Sequence, residues 1–458
     1  MGPSFAQTRV WRLLLVAGVA VAVAVAFADS SIVVLALPEL YARFETSIEG
    51  IAWVITSFNL VLAVTGLALV LLVHRVRARV LLGVGSVLFL GASVVCALSG
   101  TLAALIAARS VQGFGGAFLL AGSLPVLGAL TGSTERGIAI WTIAGTIGAA
   151  IGPALGGVLT QAFDWRAIFV FQAPIAGLAL TATVGSHIGG IPEEGRRRPL
   201  RRTMPGNAGL ALVSGALVGA LFLGVLLVID VFGYSPIFGA LIVSAIPLAA
   251  ALSRWIAARL PGALATGSGA ALIAGGLVGL ALLPSSVVVY AIAAFALCGF
   301  GLGLAVPGLT HSALAGEGGI GRKATLSVGM RHLGLVLALV VVAPILAADL
   351  VESAEVAKLN GTAVVIDARI SATRKVPLAL DIRDALDRAP RGEVPDLDPA
   401  FEANGAGEDP GVRVARDDLL ATIERAVTRA FRPSFLVCAA LAALALLPVL
   451  VWRRRFTP

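Results

Sequence analysis

Long apolar stretches, separated by short polar segments, run along almost the whole chain. Twelve of them have about the ~20 residues that a helix needs to cross a bilayer. They occupy 12–38, 50–73, 80–99, 101–130, 137–162, 166–186, 207–230, 236–258, 263–283, 285–309, 324–348 and 433–452. This pattern predicts an all-α polytopic membrane protein with twelve helices.

The polar segments divide these helices into two groups of six. The linker EEGRRRPLRR at 193–202 follows the sixth apolar stretch, and a long polar stretch separates the last two. The predicted parts are an N-terminal half (1–190), a basic linker (191–206), the first five helices of a C-terminal half (207–348), an outer domain (349–432), and a last helix with its tail (433–458).

A weak internal repeat relates the two groups. QGFGGAFLLAG at 112–122 aligns with CGFGLGLAVPG at 298–308. The same offset pairs Gly132 with Gly318, Arg136 with Arg322, and Gly148 with Gly334. We therefore expect a 6+6 bundle with pseudo-twofold halves, which in transporters places a substrate site between the halves near mid-membrane.

Basic residues set the orientation of the bundle. The chain is 58% hydrophobic and 13% charged, with a net charge of +8. If the N-terminus is cytoplasmic, the short outer loops hold only Arg43 and Arg166, whereas the inner ends hold Arg9, Arg12, Arg75, Arg77, Arg79, Arg136, Arg196, Arg197, Arg198, Arg201, Arg202, Arg254, Arg259, Arg322, Lys323, Arg453, Arg454 and Arg455. This positive-inside bias predicts cytoplasmic termini and gives no reason to expect nucleic acid as a ligand.

The polar segment at 349–432 falls outside by this topology. Residues 381–389 and 416–431 have amphipathic helical patterns, and 390–411 is predicted to be coil. Leucine and isoleucine faces on the two helices favour a small cap over the transporter mouth. Binding of a periplasmic or envelope partner is a further expectation for this segment. A disordered loop is the alternative.

Five motifs in the first half resemble one transporter family. They are DSSIVVLALP at 29–38, WVITSFNL at 53–60, RSVQGFGGA at 109–117, GTIGAAIGPALGG at 145–157 and WRAIFVFQAPIA at 165–176. Together they resemble the drug/proton antiporter branch of the major facilitator superfamily. The fourth-helix motif matches at Arg109, Gln112, Gly113, Gly115 and Ala117, and the fifth-helix motif at Gly148, Gly152, Pro153, Gly156 and Gly157.

The resemblance implies a proton-coupled exporter of hydrophobic or amphiphilic small molecules in a bacterial inner membrane. It implies a secondary transporter without enzymatic activity, cofactor or metal, whose partners are the substrate, protons and the lipid bilayer, and we expect a monomer. Two alternatives are a dedicated exporter of an endogenous lipid or metabolite that uses the outer domain for hand-off, and a degenerate transporter that serves as an envelope assembly partner or sensor.

The fifth-helix glycines suggest how such a protein could move. Gly148, Gly152 and Gly156 recur every four residues, so they share one helix face where another backbone can approach closely. Pro153 removes a backbone hydrogen bond and favours a kink. We expect a bendable contact between the halves; an ordinary tight helix pair is the alternative.

The sequence departs from the resembled branch in two respects. That branch usually has fourteen helices, and the linker at 187–206 leaves no room for an additional pair. The loop after the second helix reads VLLVHRVRAR at 70–79, with Val70 in place of a glycine and His74 in place of an aspartate. The acid that would latch this loop is missing, which is the best support for a degenerate transporter.

Ionisable residues at membrane depth are expensive and usually functional. Asp29 and Arg109 both lie roughly 12–14 Å from the outer ends of their helices, at about 1.5 Å per residue. We expect them to pair and to couple transport to proton movement, with a permanent structural ion pair as the alternative. Asn59, Arg331 and His332 are further candidates for the cavity or a second titrating site; for His332, a buried and hydrogen-bonded structural role is the alternative.

Overall fold

A computed structural model describes residues 5–183, 200–283, 287–315, 319–368, 370–388, 397–405 and 409–449. Within these ranges all regular elements are helices. They are α1 (Arg9–Phe44), α2 (Ile48–Leu72), α3 (Ala78–Leu98), α4 (Leu102–Thr131), α5 (Thr134–Ala162), α6 (Arg166–Ala182), α7 (Met204–Val231), α8 (Pro236–Ala257), α9 (Gly262–Ala281), α10 (Val288–Leu314), α11 (Ile320–Asp367), α12 (Ala372–Arg388), α13 (Asp398–Ala403) and α14 (Pro410–Val449).

The twelve predicted spans correspond to α1 through α11 and to α14. In the described part of the chain, eleven helices are long and apolar enough to cross a membrane, and α6 is a shorter apolar helix. α6 ends in a 3-10 turn at Ala179–Ala182. The fold prediction of an all-helical membrane bundle is confirmed, while most of the predicted linker lies outside the described residues.

The two halves repeat the same helix pairings. α1 packs on α5 as α7 packs on α11, and α3 packs on α4 as α9 packs on α10. The aligned glycines make equivalent contacts. A Cβ at Gly113 would overlap the Phe58 carbonyl oxygen of α2, and one at Gly299 would overlap the Ile246 carbonyl oxygen of α8. The repeat seen in the sequence is therefore a structural repeat.

The close backbone approach between α5 and α1 has an equivalent in the C-terminal half, between α11 and α7. The Cβ that Gly148 lacks would overlap the Ala24 carbonyl oxygen, and that of Gly334 would overlap the Ala211 carbonyl oxygen. Glycine at these positions is required by the distance between the two backbones.

Contacts join the halves near both ends of the bundle. At the end predicted to be outside, Gln161 of α5 accepts a hydrogen bond from the Ile237 amide of α8 at 2.9 Å. Toward the other end, Nε of Arg322 in α11 donates to the carbonyl oxygen of Val70 in α2 at 3.3 Å. Both contacts flank the region where the predicted site residues lie.

The outer segment is more helical than its sequence predicts. α11 continues to Asp367, well beyond the apolar stretch that ends at 348. α14 covers the second amphipathic pattern and α12 covers the first as far as Arg388, with Ala389 outside the described residues. α13 lies within the stretch predicted to be coil. The coil prediction is therefore wrong at Asp398–Ala403, where Pro399 stands in the first helical turn and favours a helix start.

This outer segment buries apolar side chains that continue the apolar core of the membrane bundle. α14 packs on the outer part of α11 and reaches the outer end of α7, and α12 packs on α13. Its buried side chains include Val365, Leu378, Ile382, Leu397, Phe401, Val412, Leu419, Ile423 and Val427. Arg416 and Asp398 form an ion pair at 2.7 Å across α14 and α13. A cleft of about 410 Å³ between α11 and α14 is lined by Asp349, Glu352, Ser353, Val356, Thr422, Arg425, Ala426, Arg429, Ala430 and Pro433.

Candidate functional site

Asp29 and Arg109 meet in the interior of the N-terminal half. Oδ2 of Asp29 on α1 lies 2.6 Å from Nη1 of Arg109 on α4, and both side chains are fully buried. The structure thus brings together the two groups that sequence depth alone suggested as a pair. Their role in proton coupling stays a prediction.

Arg109 is held by three further contacts. Its Nε donates to the carbonyl oxygen of Val54 on α2 at 3.0 Å, and its Nη1 donates to Oε1 of Gln112 at 2.6 Å. The guanidinium also lies over the Phe58 ring, 4.3 Å from the centroid. Because these contacts do not involve Asp29, the arginine has partners that would remain if the carboxylate were neutralised.

Gln112 extends this network to α3 and α6. Its Nε2 donates to Oγ of Ser93 at 2.8 Å and to Oε1 of Gln172 at 3.0 Å. Sequence reasoning named Gln112 but missed Ser93 and Gln172. The available signal was the occurrence of uncharged polar residues inside predicted spans, where they need a partner.

Four buried polar atoms of this network have no hydrogen-bond partner among the residues that the structure describes. They are Nη2 of Arg109, Nε2 of Gln172, and Oδ1 and Oδ2 of Asp29, of which Oδ2 is in ion contact with Arg109. Unpaired buried polar atoms are costly and mark sites that are arranged for function or for a second conformation. Burial disfavours a charged carboxylate at Asp29, and the guanidinium of Arg109 beside it favours one.

A second polar chain connects the two halves beside this pair. Oγ of Ser30, the residue after Asp29, donates to Oδ1 of Asn59 on α2 at 2.8 Å. Nδ1 of His332 on α11 lies 2.6 Å from the same oxygen. Asn59 in turn donates from Nδ2 to the Ile55 carbonyl oxygen at 2.8 Å. His332 is therefore a buried histidine with a hydrogen-bond partner in the opposite half.

Arg331 also faces the N-terminal half. Its guanidinium carbon lies 5.3 Å from the centroid of the Phe27 ring on α1. The rings of Phe27 and Trp141 pack edge to face, with their centroids 5.2 Å apart. The structure thus places Asn59, Arg331 and His332 at the interface between the halves, where a substrate site was predicted.

The three-glycine face of α5 packs inside the N-terminal half. Added Cβ atoms at Gly148, Gly152 and Gly156 would all overlap atoms of α1. The prediction that this face forms the contact between the halves is wrong for these three residues, because α1 belongs to the same half. At Gly157 a Cβ would overlap Cβ of Ala240 on α8, so Gly157 is the motif glycine at the boundary between halves.

Pro153 leaves a carbonyl oxygen for a side chain to use. A proline cannot donate to the carbonyl four residues earlier, which here belongs to Ala149. Oγ of Ser31 on α1 lies 3.3 Å from that oxygen and 2.9 Å from the Ala28 carbonyl oxygen, so it can donate to either. The missing side chain of Gly152 provides the space for this hydroxyl.

The glycines of the fourth-helix motif also admit backbone. Gly113 lies against the Phe58 carbonyl oxygen of α2, and Gly115 lies against the Phe89 amide nitrogen of α3. These contacts draw α2 and α3 onto α4 next to Arg109. The motif glycines therefore position the site, whereas Arg109 and Gln112 supply its polar groups.

Comparisons with known proteins agree with this architecture. The family model of the Major Facilitator Superfamily matches residues 19–339. A crystal structure of a bacterial homologue of the human lysosomal transporter Spinster, inward-facing and occupied, matches with a TM-score of 0.67 and 15% identity over 97% of each chain. At that identity the likeness concerns the fold.

Several curated relatives share part of the sequence. The multidrug resistance protein Stp of Mycobacterium tuberculosis is 32% identical over 201 residues, 43% of this chain and 37% of the relative. The drug efflux pump JefA of the same species is 33% identical over 161 residues, 34% and 32% of the two chains. The riboflavin transporter RibZ of Clostridioides difficile is 30% identical over 172 residues, 37% of each chain. The chain spans about a third of the length of these relatives.

Proposed function

This chain belongs to the Major Facilitator Superfamily, and we propose that it is a proton-coupled exporter of hydrophobic or amphiphilic small molecules. It works in a bacterial inner membrane by alternating access, with cytoplasmic termini. The observation that carries the proposal is the fully buried pair of Asp29 and Arg109. An intramembrane carboxylate paired with arginine is a functional group by default, because its burial is expensive.

The names of the relatives support export as the direction of transport. Two of the similar proteins are a multidrug resistance protein and a drug efflux pump, and a third is a riboflavin transporter. Members of this superfamily are secondary transporters and not enzymes. Because the similarity covers only part of each relative, their names alone do not support drug-like substrates for this chain. The proposal rests on those names together with the buried pair of Asp29 and Arg109.

Asp29 carries the proton in this mechanism. With Asp29 charged, the pair is closed and Arg109 is held between α1, α2 and α4. Protonation of Asp29 from the outer side removes the ionic attraction, while Arg109 keeps the Val54 carbonyl and Gln112. The halves then reorient, the proton leaves to the inner side, and the restored pair accompanies binding of the next substrate.

The contact at the inner end favours a working transporter over a degenerate one. The degenerate alternative depended on the missing acid in the loop at 70–79. Arg322 of α11 instead donates to the Val70 carbonyl oxygen, so a backbone acceptor provides a link between the halves at this end. A backbone acceptor needs no acidic side chain.

Inverted membrane vesicles that contain a pH-sensitive dye test the proposal. Respiration acidifies these vesicles, and a substrate added outside should be pumped in while protons leave, so the dye signal should recover. Hydrophobic drugs, organic dyes and riboflavin form the first compound panel. Vesicles with the protein that give no more recovery than vesicles without it, across the panel and with uptake measured directly, would contradict the proposed function.

A further inference from the structure

Arg331 lies at membrane depth, and the described part of the chain offers it no acidic partner. It is eleven residues beyond Ile320, the start of α11, or roughly 16 Å along the helix at about 1.5 Å per residue. Among the residues that the structure describes, no carboxylate lies within salt-bridge distance of Arg331. Arginine keeps its positive charge in proteins, so this part of the interface holds an unbalanced cation.

The nearest candidate counter-ion on α1 is already engaged. Arg331 faces Phe27, and Asp29 follows two residues later on the same helix. Asp29 is paired with Arg109 inside the N-terminal half and has no exposed surface. In this arrangement Arg331 therefore meets an aromatic ring where an arginine at membrane depth would ordinarily meet a carboxylate.

The surroundings of Arg331 provide aromatic surface next to the charge. Phe27 lies next to the guanidinium and also packs edge to face against Trp141. Nε1 of Trp141 donates to Oγ of Ser123 at 3.0 Å, which fixes the indole in place. Phe27 and Trp141 are almost fully buried, whereas Arg331 is only partly buried and keeps accessible surface.

We infer that Arg331 is the substrate-recognition residue of this transporter and that it selects amphiphilic organic anions. The guanidinium would bind a sulfonate, phosphate or carboxylate in a bidentate manner, because its planar donors match these oxygens. Phe27 and Trp141 are covered by the protein, so they hold the guanidinium in place, and the ligand contact assigned here is that of Arg331 itself. This inference rests on the proposed function for its statement that the ligand is transported, and on Arg331 and its neighbours for the charge of the ligand.

A matched set of three ring compounds tests the charge preference. Naphthalene-2-sulfonate is an anion, 2-naphthol is neutral at pH 7, and 2-naphthyltrimethylammonium is a cation. Thermal unfolding of the purified full-length protein can be followed with a thiol-reactive fluorogenic dye, because Cys96, Cys298 and Cys438 are buried in the folded chain. The midpoint shift against ligand concentration gives an apparent affinity for each compound.

The wild type should bind the sulfonate at least tenfold more tightly than the ammonium compound. Arg331→Gln should weaken sulfonate binding at least tenfold and leave naphthol binding unchanged. Arg331→Lys should give an intermediate value, because it keeps the charge and loses the bidentate fork. Arg136→Gln removes the same charge from an exposed site on α5 and should change nothing.

Two results would overturn the inference. One is equal sulfonate affinity in wild type and in folded Arg331→Gln; the other is a wild type that binds the ammonium compound as tightly as the sulfonate. The second comparison needs no variant, so the test survives if Arg331→Gln does not fold. Uptake of the sulfonate into proteoliposomes separates the two proposals: binding without transport contradicts the proposed function alone, and proton-coupled transport of cations without sulfonate binding contradicts the inference alone.

Discussion

At the scale of single residues, the proposed transport cycle requires the ion pair of Asp29 and Arg109 to separate without leaving an unpaired buried charge. Breaking a buried ion pair by removing one partner costs about 3–5 kcal/mol. For Asp29, protonation avoids that cost because the carboxyl group becomes neutral. For Arg109, contacts with Val54, Gln112 and Phe58 reduce the cost. The network around Arg109 is thus suited to a carboxylate that is charged for only part of a cycle.

We predict that Asp29→Asn abolishes proton-coupled export and leaves the folded protein in the membrane. Asparagine has a similar shape and cannot exchange a proton, so substrate-induced proton release in inverted vesicles should fall to background. Exchange of labelled for unlabelled substrate in proteoliposomes, which requires no net proton movement, should persist. The amount of protein in the membrane provides the measure of folding.

Asp164→Asn is a suitable control for this variant. Asp164 is partly exposed and pairs with Arg166 at 3.6 Å at the outer end of the bundle. A surface pair of this kind contributes about 0–1 kcal/mol, so both proton release and stability should stay at the wild-type level. Undiminished proton release from Asp29→Asn would contradict the proposal that Asp29 couples transport to proton movement.

The sequence specified some residue contacts and not others. Asp29 and Arg109 could be matched because hydropathy gives the depth of a charge in a helix. Gln172 and Ser93 could not be assigned to Gln112, because their contacts depend on the rotation of α3 and α6 about their axes. The chain from Ser30 through Asn59 to His332 spans both halves and is set by how the halves dock, which has no local signature.

At the scale of helices, hydropathy located the spans and misjudged where α11 ends. The apolar pattern stops where Asp349 and Glu352 enter the sequence, but these residues do not end a helix. Proline and glycine end helices far more often than acidic residues do, and 349–360 contains neither. The helix continues through this stretch, and also through Gly361, to Asp367. The glycine spacing on α5 correctly indicated a close helix contact, but spacing cannot name the helix that makes it.

Two glycines of α5 separate packing within a half from contact between halves. We predict that Gly152→Leu lowers thermal stability together with transport, because its side chain would overlap Ser31 of α1. Overpacking of this kind costs about 1–3 kcal/mol. Melting of the purified protein and initial export rates, measured on the same preparations, give the two quantities. A stable variant with slow exchange would show that the α1–α5 contact itself moves.

Gly157→Leu should behave differently. Its side chain would press on Ala240 and Pro236 of α8 in the opposite half, at the end predicted to be outside. We predict that it hinders closure there and slows substrate exchange several-fold, with a smaller loss of melting temperature than Gly152→Leu. Cysteine accessibility from the outer side, at Gln161→Cys in both backgrounds, should rise in Gly157→Leu. Unchanged accessibility and exchange would exclude this contact from the transport cycle.

At the scale of the whole molecule, the chain is a membrane bundle with a helical extension on one side. The extension grows directly from α11 and α14, which continue outward without a described break, and it has its own buried apolar residues. A loop of this length is cheap to close, since the entropy cost grows only with the logarithm of its length. Its buried apolar side chains, by contrast, indicate a specific structure packed on the bundle.

We expect this extension to act on the release of substrate and not on the proton at Asp29. It adjoins the outer end of α7, whereas Asp29 is buried in the other half. Leu419 of α14 is fully buried and Val414 of the same helix is 60% exposed. Leu419→Asp should therefore loosen the extension, because burying an unpaired charge is very costly, while Val414→Asp should leave it intact.

The expected result for Leu419→Asp is rapid amide exchange along Pro410–Ala430 and an altered rate of release of hydrophobic substrate. Substrate-induced proton release per molecule transported should stay at the wild-type value, because the Asp29 site is untouched. Replacement of 355–428 by a Gly/Ser linker should reproduce the effect on release. If the linker variant exports at the wild-type rate, or if the native segment already exchanges its amides without protection, the extension has no part in transport. An altered proton yield in Leu419→Asp would instead mean that the outer segment and the buried pair are coupled through α11, whose inner part carries Arg331 and His332 against the opposite half.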